Sequence, residues 1–342
     1  MLSLMESGGV AFLVALFLTP LWIRFLRARS LFQVIREDGP THQHKAGTPT
    51  MGGAIIVLAA LLGYAMGHIG TSVVFTRSGI LAILAIVASG VLGFVDDYLG
   101  IRNLRNLGLN KRGKLIGQVV IAAVFAFLAL NWVHTSTQLS FTRFSLPGWQ
   151  LTTVGWFFLG AFIMIGTSNA VNLTDGLDGL AAGSATFSFG VLAIIGYWQF
   201  RHFDIYRLHA SLDLGLVAVA LVGACLGFLW WNAAPAKIFM GDTGSLAVGT
   251  GIAALCLLMN LDLLLPIIGG LFLAVTLSVI IQVISFRVFG RRVFRIAPIQ
   301  HHFEQLWPET TVTIRFWIMA GLLAMLGLGI FYGDFLKIAK VV

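Results

Sequence analysis

Two carboxylates stand side by side in Gly93-Phe94-Val95-Asp96-Asp97-Tyr98, at the end of a run over 80–95 that is otherwise almost entirely apolar. Charge in or beside a bilayer is costly, so an acidic pair placed there marks a functional site. The stretch from Asn169 to Leu180 sets Asn172, Asp175 and Asp178 at steps of three. If it is helical, that spacing turns an amide and two carboxylates toward one side; Gly176 and Gly179 can instead break it into a loop. Either form suits a sugar or nucleotide, because glycine lets backbone come close and Asn and Asp supply donors and acceptors. A plain Asn/Asp/Gly turn between two apolar runs is the simpler alternative. A third acidic point is Asp242, in Phe239-Met240-Gly241-Asp242-Thr243-Gly244-Ser245. It fits a helix N-cap for a span beginning near Ser245. That role is compatible with a second one: with Asp96 and Asp97 it can offer hard oxygen ligands to magnesium, which favours carboxylates together with substrate phosphates.

Basic partners come from three further loops. Lys45 lies in His44-Lys45-Ala46-Gly47-Thr48-Pro49-Thr50-Met51-Gly52-Gly53, Lys114 in the loop from Gly108 to Lys114, and His301 and His302 in Ala297-Pro298-Ile299-Gln300-His301-His302-Phe303-Glu304. Taken singly, each basic loop reads more readily as a topology signal than as a site. The His-His-x-Glu run lacks the i, i+4 spacing of helical zinc proteases, and phosphate binding by imidazole fits its company better.

The elements that must hold these groups are membrane spans. The chain has 342 residues, 58% of them hydrophobic and 11% charged, with a mean hydropathy of +0.91, far from soluble globular usage. About 20 apolar residues cross a hydrocarbon core of about 30 Å. Ten such runs can be placed, at 10–23, 51–69, 80–95, 115–132, 155–171, 180–198, 214–231, 245–259, 263–286 and 312–332. The fold class expected is therefore an all-α polytopic membrane protein of about ten transmembrane helices forming one integral domain over 1–342. This layout puts sixteen of the 22 Lys and Arg on one side and six on the other, which names the richer side cytoplasmic. Both termini then fall outside. The first apolar run has no basic residue before it and an Arg cluster after it, so it reads as a span and not as a secretory signal.

Cys225 and Cys256 sit inside spans without CxxC spacing and predict neither a disulfide framework nor a zinc site. The net charge of +8 comes from loops beside spans with no nucleic-acid fold signature; anionic headgroups or phosphorylated substrates account for it better. A secondary transporter would also use membrane-edge acids, but it predicts inverted repeats and ionisable groups at the midplane. Here the acids gather at span ends.

At these loops the sequence closely resembles the phospho-N-acetylmuramoyl-pentapeptide-transferase family, within the polyprenyl-phosphate N-acetylhexosamine-1-phosphate transferases. The matching strings are Asp38-Gly39-Pro40, Gly47 to Gly53, Phe94 to Tyr98, Asn169 to Leu180, Phe239 to Asp242 and Ala297 to Glu304; six in family order make a specific signal. The resemblance implies a ten-span enzyme of the bacterial inner membrane with a cytoplasmic active site. It would pass phospho-MurNAc-pentapeptide from its UDP carrier to undecaprenyl phosphate, giving lipid I and UMP with magnesium, in peptidoglycan synthesis. Carried over by motif, Asp96, Asp97, Asp242 and His301 are catalytic, with Asp242 the magnesium ligand. Asn172, Asp175, Asp178 and Phe239 line the nucleotide site, where Phe239 can stack on uracil. Lys45, Thr48, Lys114, Asn169, Asn232 and His302 complete the polar cleft. The partners implied are UDP-MurNAc-pentapeptide, undecaprenyl phosphate and membrane lipids; a homodimer is admitted and nucleic acid is not expected. The nearest alternative is a sister transferase using UDP-GlcNAc or another UDP-HexNAc, which would share the aspartates. The chain departs from the family at two positions. Members often read His-His-His where Gln300-His301-His302 stands, and often carry an acid in the ninth span where Val275 stands. Gln300 can hydrogen-bond but cannot titrate or carry charge.

Overall fold

The computed structural model describes residues 1–29, 32, 47–69, 71, 73–102 and 108–339. Lys45 and the Asp38-Gly39-Pro40 string lie outside the described residues. Hydrocarbon offers no partner to backbone N–H and C=O groups, so an apolar run there must close its hydrogen bonds internally as a helix. The described helices are α1 (Leu2–Ala28), α2 (Gly53–Met66), α3 (Arg77–Arg102), α4 (Lys111–Leu128), α5 (Thr153–Thr174), α6 (Leu180–Arg201), the single turn α7 (Phe203–Tyr206), α8 (Ser211–Asn232), α9 (Gly241–Leu258), the short α10 (Leu265–Ile268), α11 (Gly270–Phe289), α12 (Ile299–Glu304) and α13 (Glu309–Ala339). Among the described residues nine helices are long and apolar enough to cross a membrane, and α2, at 14 residues, is a shorter apolar tenth. The chain is thus an all-α, multi-pass membrane protein, as its composition requires.

Four details differ from the sequence expectation. The run over 263–286 divides into α10 and α11, because Gly269 and Gly270 favour a break and Pro266 is suited only to the first turn of a helix. Helix α3 continues through Asp96 and Asp97 to Arg102, so the acidic pair lies within a helix and not at its end. Helix α9 starts at Gly241 with Met240 as its N-cap residue, so Asp242 is in the first turn and does not cap it. An antiparallel hairpin, β1 (Gln138–Arg143) and β2 (Leu146–Gln150), lies between α4 and α5. It is fastened at that end of the bundle: Ser140 N–H donates to Asp262 at 3.1 Å, and Thr142 Oγ1 donates to Asp334 at 2.6 Å beside Arg143 at 3.2 Å.

Helix α9 is the most enclosed span, 89% of its most apolar window being buried, and its sequence Gly-Asp-Thr-Gly-Ser-Leu-Ala-Val-Gly-Thr-Gly is built from small residues. Small side chains let neighbouring backbones approach. Helix α2 crosses α9 where Gly53 meets Gly244, and α3 crosses it where Gly93 lies against the carbonyl of Asp242; at either place a Cβ would collide with backbone. Chain alternation brings the ends of α1, α3, α5, α8 and α11 to the same side as the starts of α2, α4, α6, α9 and α13. The opposite end is held by Asp213 on α8, which pairs with His68 Nε2 at 3.0 Å and accepts from the Tyr64 hydroxyl and from the amide and hydroxyl of Thr76.

Gly93→Ala should part α3 from α9. We expect a loss of about 1–3 kcal/mol, the usual range for overpacking, read as a lowered midpoint of thermal unfolding in detergent. Gly190→Ala, where an added methyl meets nothing within 4 Å, is the control and should leave the midpoint unchanged or slightly raised.

Candidate active site

The first turn of α9 is where the acidic strings converge. The amides at a helix start have no partner within the helix, and those of α9 are answered from α3. Asp97 accepts the Asp242 amide at 3.0 Å with one oxygen; with the other it accepts the Thr243 amide at 3.0 Å and the Thr243 hydroxyl at 2.6 Å. The carboxylate acts as a cap supplied from another helix, and the positive end of the α9 dipole favours its charge.

Asp96, one residue earlier on α3, points elsewhere, since successive helical positions are turned about 100° apart. It is buried, accepts the Leu109 amide at 2.6 Å and lies 3.2 Å from Lys114 Nζ. Lys114, in the first turn of α4, also donates to Oδ2 of Asp242. Its ammonium thus bridges two carboxylates from α3 and α9. The other oxygen of Asp242 accepts from Asn172 Nδ2 at 2.5 Å, and that same nitrogen is 2.8 Å from Ser245 Oγ. One turn further along α4 and one turn back along α5, Asn169 Nδ2 donates to Gln118 Oε1 at 3.0 Å.

The string from Asn169 to Leu180 is both of the forms its spacing allowed. It is helical to Thr174, so Asn169 and Asn172 face α4 and α9, and it then turns so that Asp175 and Asp178 lie between α5 and α6. Burial, with the carboxylates of Asp242, Asp97 and Asp178 adding to it, pushes Asp175 up to about 8. Asp178 is buried and accepts the Ala236 amide at 2.9 Å, tying this turn to the α8–α9 connection; its own amide donates to Glu309 at 2.8 Å. Asn232 Nδ2 donates to the Ile238 carbonyl inside that same connection.

Phe239, partly buried, pairs through its backbone with the loop before α2: its amide donates to the Pro49 carbonyl at 2.8 Å and its carbonyl accepts the Gly52 amide at 2.9 Å. Thr48, partly exposed, belongs to that loop. Helix α12 brings His301 onto the Asp175–Asp178 turn at Gly176, with Nδ1 held by Glu304 at 2.8 Å. His302 Nδ1 accepts the Arg295 amide at 3.3 Å. Val275 is fully buried among Leu271, Leu177, Leu180, Val312 and Phe316.

Sequence reasoning passed over Thr243, Ser245, Gln118 and Glu309. The first two were visible as hydroxyls following Asp242, and Gln118 lies four residues after Lys114, the spacing of one helical face. Glu309 reaches Asp178 across 131 positions, and no local pattern marks it. No cluster of three or more His, Cys, Asp or Glu capable of holding a metal occurs among the described residues. The donor set nevertheless fits a hard cation: Asp96 and Asp242 already share one positive group, the Lys114 ammonium, and magnesium takes one or two protein carboxylates with the remainder from phosphate and water.

Residues 79–260 match the family described as Glycosyl transferase family 4. Over 98% of its length the chain is 48% identical to the phospho-N-acetylmuramoyl-pentapeptide-transferase of Frankia alni, covering 99% of that protein. It is 44% identical to the enzyme of that name from Salinispora arenicola over 98% of the chain and 99% of the relative. With the one from Streptomyces avermitilis it shares 45% identity over 97% and 98%.

The Asp175 carboxyl has a definite consequence for stability. Its pKa in the folded protein, about 8, lies above the ordinary carboxylate value of about 3.9. Between these values the folded state keeps a proton that the unfolded state has released, so stability falls as pH rises through that window. In metal-free buffer, Asp175→Asn should therefore show a shallower decline of the unfolding midpoint from pH 5 to pH 8 than the parent. Parallel declines would show that this carboxyl is not displaced.

Proposed function

The chain belongs to the phospho-N-acetylmuramoyl-pentapeptide-transferase family, and on that premise we propose that it moves phospho-MurNAc-pentapeptide from UDP-MurNAc-pentapeptide to undecaprenyl phosphate, forming lipid I and releasing UMP. The observation that carries this reading is the Lys114 ammonium set between Asp96 and Asp242 and braced by Asn172, at one end of an otherwise apolar helical body. With a divalent cation held by its carboxylates, such a place would suit two phosphates, one arriving in solution and one laterally in the bilayer. The excess of Lys and Arg on the loops of that end supports assigning it to the cytoplasmic face of the inner membrane.

In this reaction an oxygen of the acceptor phosphate attacks the phosphorus bonded to the sugar. The bond from that phosphorus to the oxygen of the UMP phosphate breaks, and its electron pair leaves with UMP. A phosphate monoester has a second pKa of about 6, so the acceptor is mostly dianionic at pH 7 and needs no proton acceptor. The hydrogen bonding of the aspartates favours direct attack over a covalent aspartyl intermediate. Both oxygens of Asp97 are committed to α9, and Asp96 is held by Leu109 and Lys114. Lys114 supplies positive charge where phosphates meet. Asp242, with Asp96 beside it, would hold magnesium, which when bound offsets charge on the pyrophosphate and the leaving UMP. Asn172 and Asp175 would orient the nucleotide, Asp178 would fix their turn, and Phe239 would stack on uracil. Thr48, Asn169, Asn232 and His302 are assigned to the surrounding cleft and His301 to its reacting side, while Lys45 is assigned a substrate-binding role by its motif alone.

Radiolabel transfer by purified protein tests the proposal. UDP-MurNAc-pentapeptide should be preferred to UDP-GlcNAc, and the transfer should require magnesium; preference for UDP-GlcNAc would overturn the substrate. Asp242→Asn should lose activity about a hundredfold or more, the scale of one preorganised electrostatic contact. A phospho-aspartyl enzyme trapped with UDP-substrate and no lipid acceptor would overturn direct attack.

A further inference from the structure

Gln300 is fully buried in the first turn of α12, and its Nε2 donates to the Leu173 carbonyl at 2.8 Å. Leu173 is in the last turn of α5, one residue before the helix ends and two before Asp175. Last-turn carbonyls have no partner in their own helix, so the carboxamide serves as a side-chain cap brought from 127 positions away. Helix α12 is six residues long, too short to be stable alone, and must be fixed by such contacts. On its other side the Ile299 amide donates to Ser278 Oγ on α11 at 3.0 Å. The next residue, His301, lies flush on the turn: a Cβ at Gly176 would come within 2.7 Å of His301 Nε2 and 3.4 Å of Gln300 Nε2.

We propose that Gln300 is a positioning residue, which, through the Leu173 carbonyl, sets His301 and the Asp175–Asp178 turn in register with one another. The inference rests on the transfer reaction proposed above for its kinetic readout, and on the hydrogen bond itself for its structural one. The contact needs an N–H aimed at a carbonyl. An imidazole can supply one as well, so histidine is the replacement at this position that preserves the donor. A thioether has no donor, and an ionised carboxylate would set its negative charge against the negative end of the carbonyl dipole.

Three variants of the full-length protein separate these cases. Gln300→His should keep kcat within about threefold. Gln300→Met and Gln300→Glu should each lower kcat about tenfold, within the cost of a displacement of about 1 Å at a reacting centre. Hydrogen exchange, followed by mass spectrometry on the same preparations, reads the contact without turnover: amides from Asp175 to Gly179 should exchange faster in Gln300→Met than in the parent, and not in Gln300→His. Unchanged exchange and unchanged kcat in Gln300→Met would overturn the role of Gln300. Equal damage in Gln300→His and Gln300→Met would do so as well, since it would tie the effect to shape and not to the donor. An inactive parent protein with normal exchange differences would instead overturn the assigned reaction and leave the positioning contact standing.

Discussion

Asp97 and the first turn of α9 satisfy each other. The helix start offers amides with no internal acceptor, and the apolar surroundings make an unpaired carboxylate costly. Joining the two places one charged residue of α3 against two amides and a hydroxyl of α9. Everything else at the site hangs from that junction. It fixes Asp242 in space, and Asp242 in turn meets Lys114 from α4 and Asn172 from α5. Gly93, one turn before Asp97, permits the approach because it puts no side chain between α3 and the Asp242 carbonyl.

The neighbouring aspartates consequently have different work. Asp97 is turned inward to α9, whereas Asp96 is turned toward Leu109 and Lys114. The same division recurs on the far side of the cleft. Asn172 meets the charged cluster at Asp242, while Asp178 ties the α5–α6 turn to Ala236 in the connection that leads to α9. Residues that orient the cleft and residues that face it alternate along one short string, so a rigid scaffold is built from the same loops that meet the phosphates.

Much of this was legible in the chain. Apolar run length gave the spans, because hydrocarbon imposes internal hydrogen bonding on any segment that crosses it. The isolation of Asp96, Asp97, Asp175, Asp178 and Asp242 in so apolar a sequence marked where polar chemistry must lie. Gly269 and Gly270 were visible too, but inside a long apolar run their weak helix propensity could be overridden by burial or could win, and here it won. The hairpin over 138–150 carried no strong signal: its strands are short and held mainly by docking to Asp262 and Asp334, far away in sequence.

The sequence by itself determined the solvent of this protein, its helical class, the end of the bundle at which charge collects and the identity of the groups gathered there. Those follow from composition and local spacing, which act on each segment separately. The tertiary structure alone decided which aspartate holds a helix and which faces a lysine, that Asp242 lies inside α9 and not ahead of it, and that Gln300 caps α5. Each of these depends on the rotation and close approach of helices distant in the chain, set by small residues at their crossings and by the cost of leaving buried charges and helix ends unpaired.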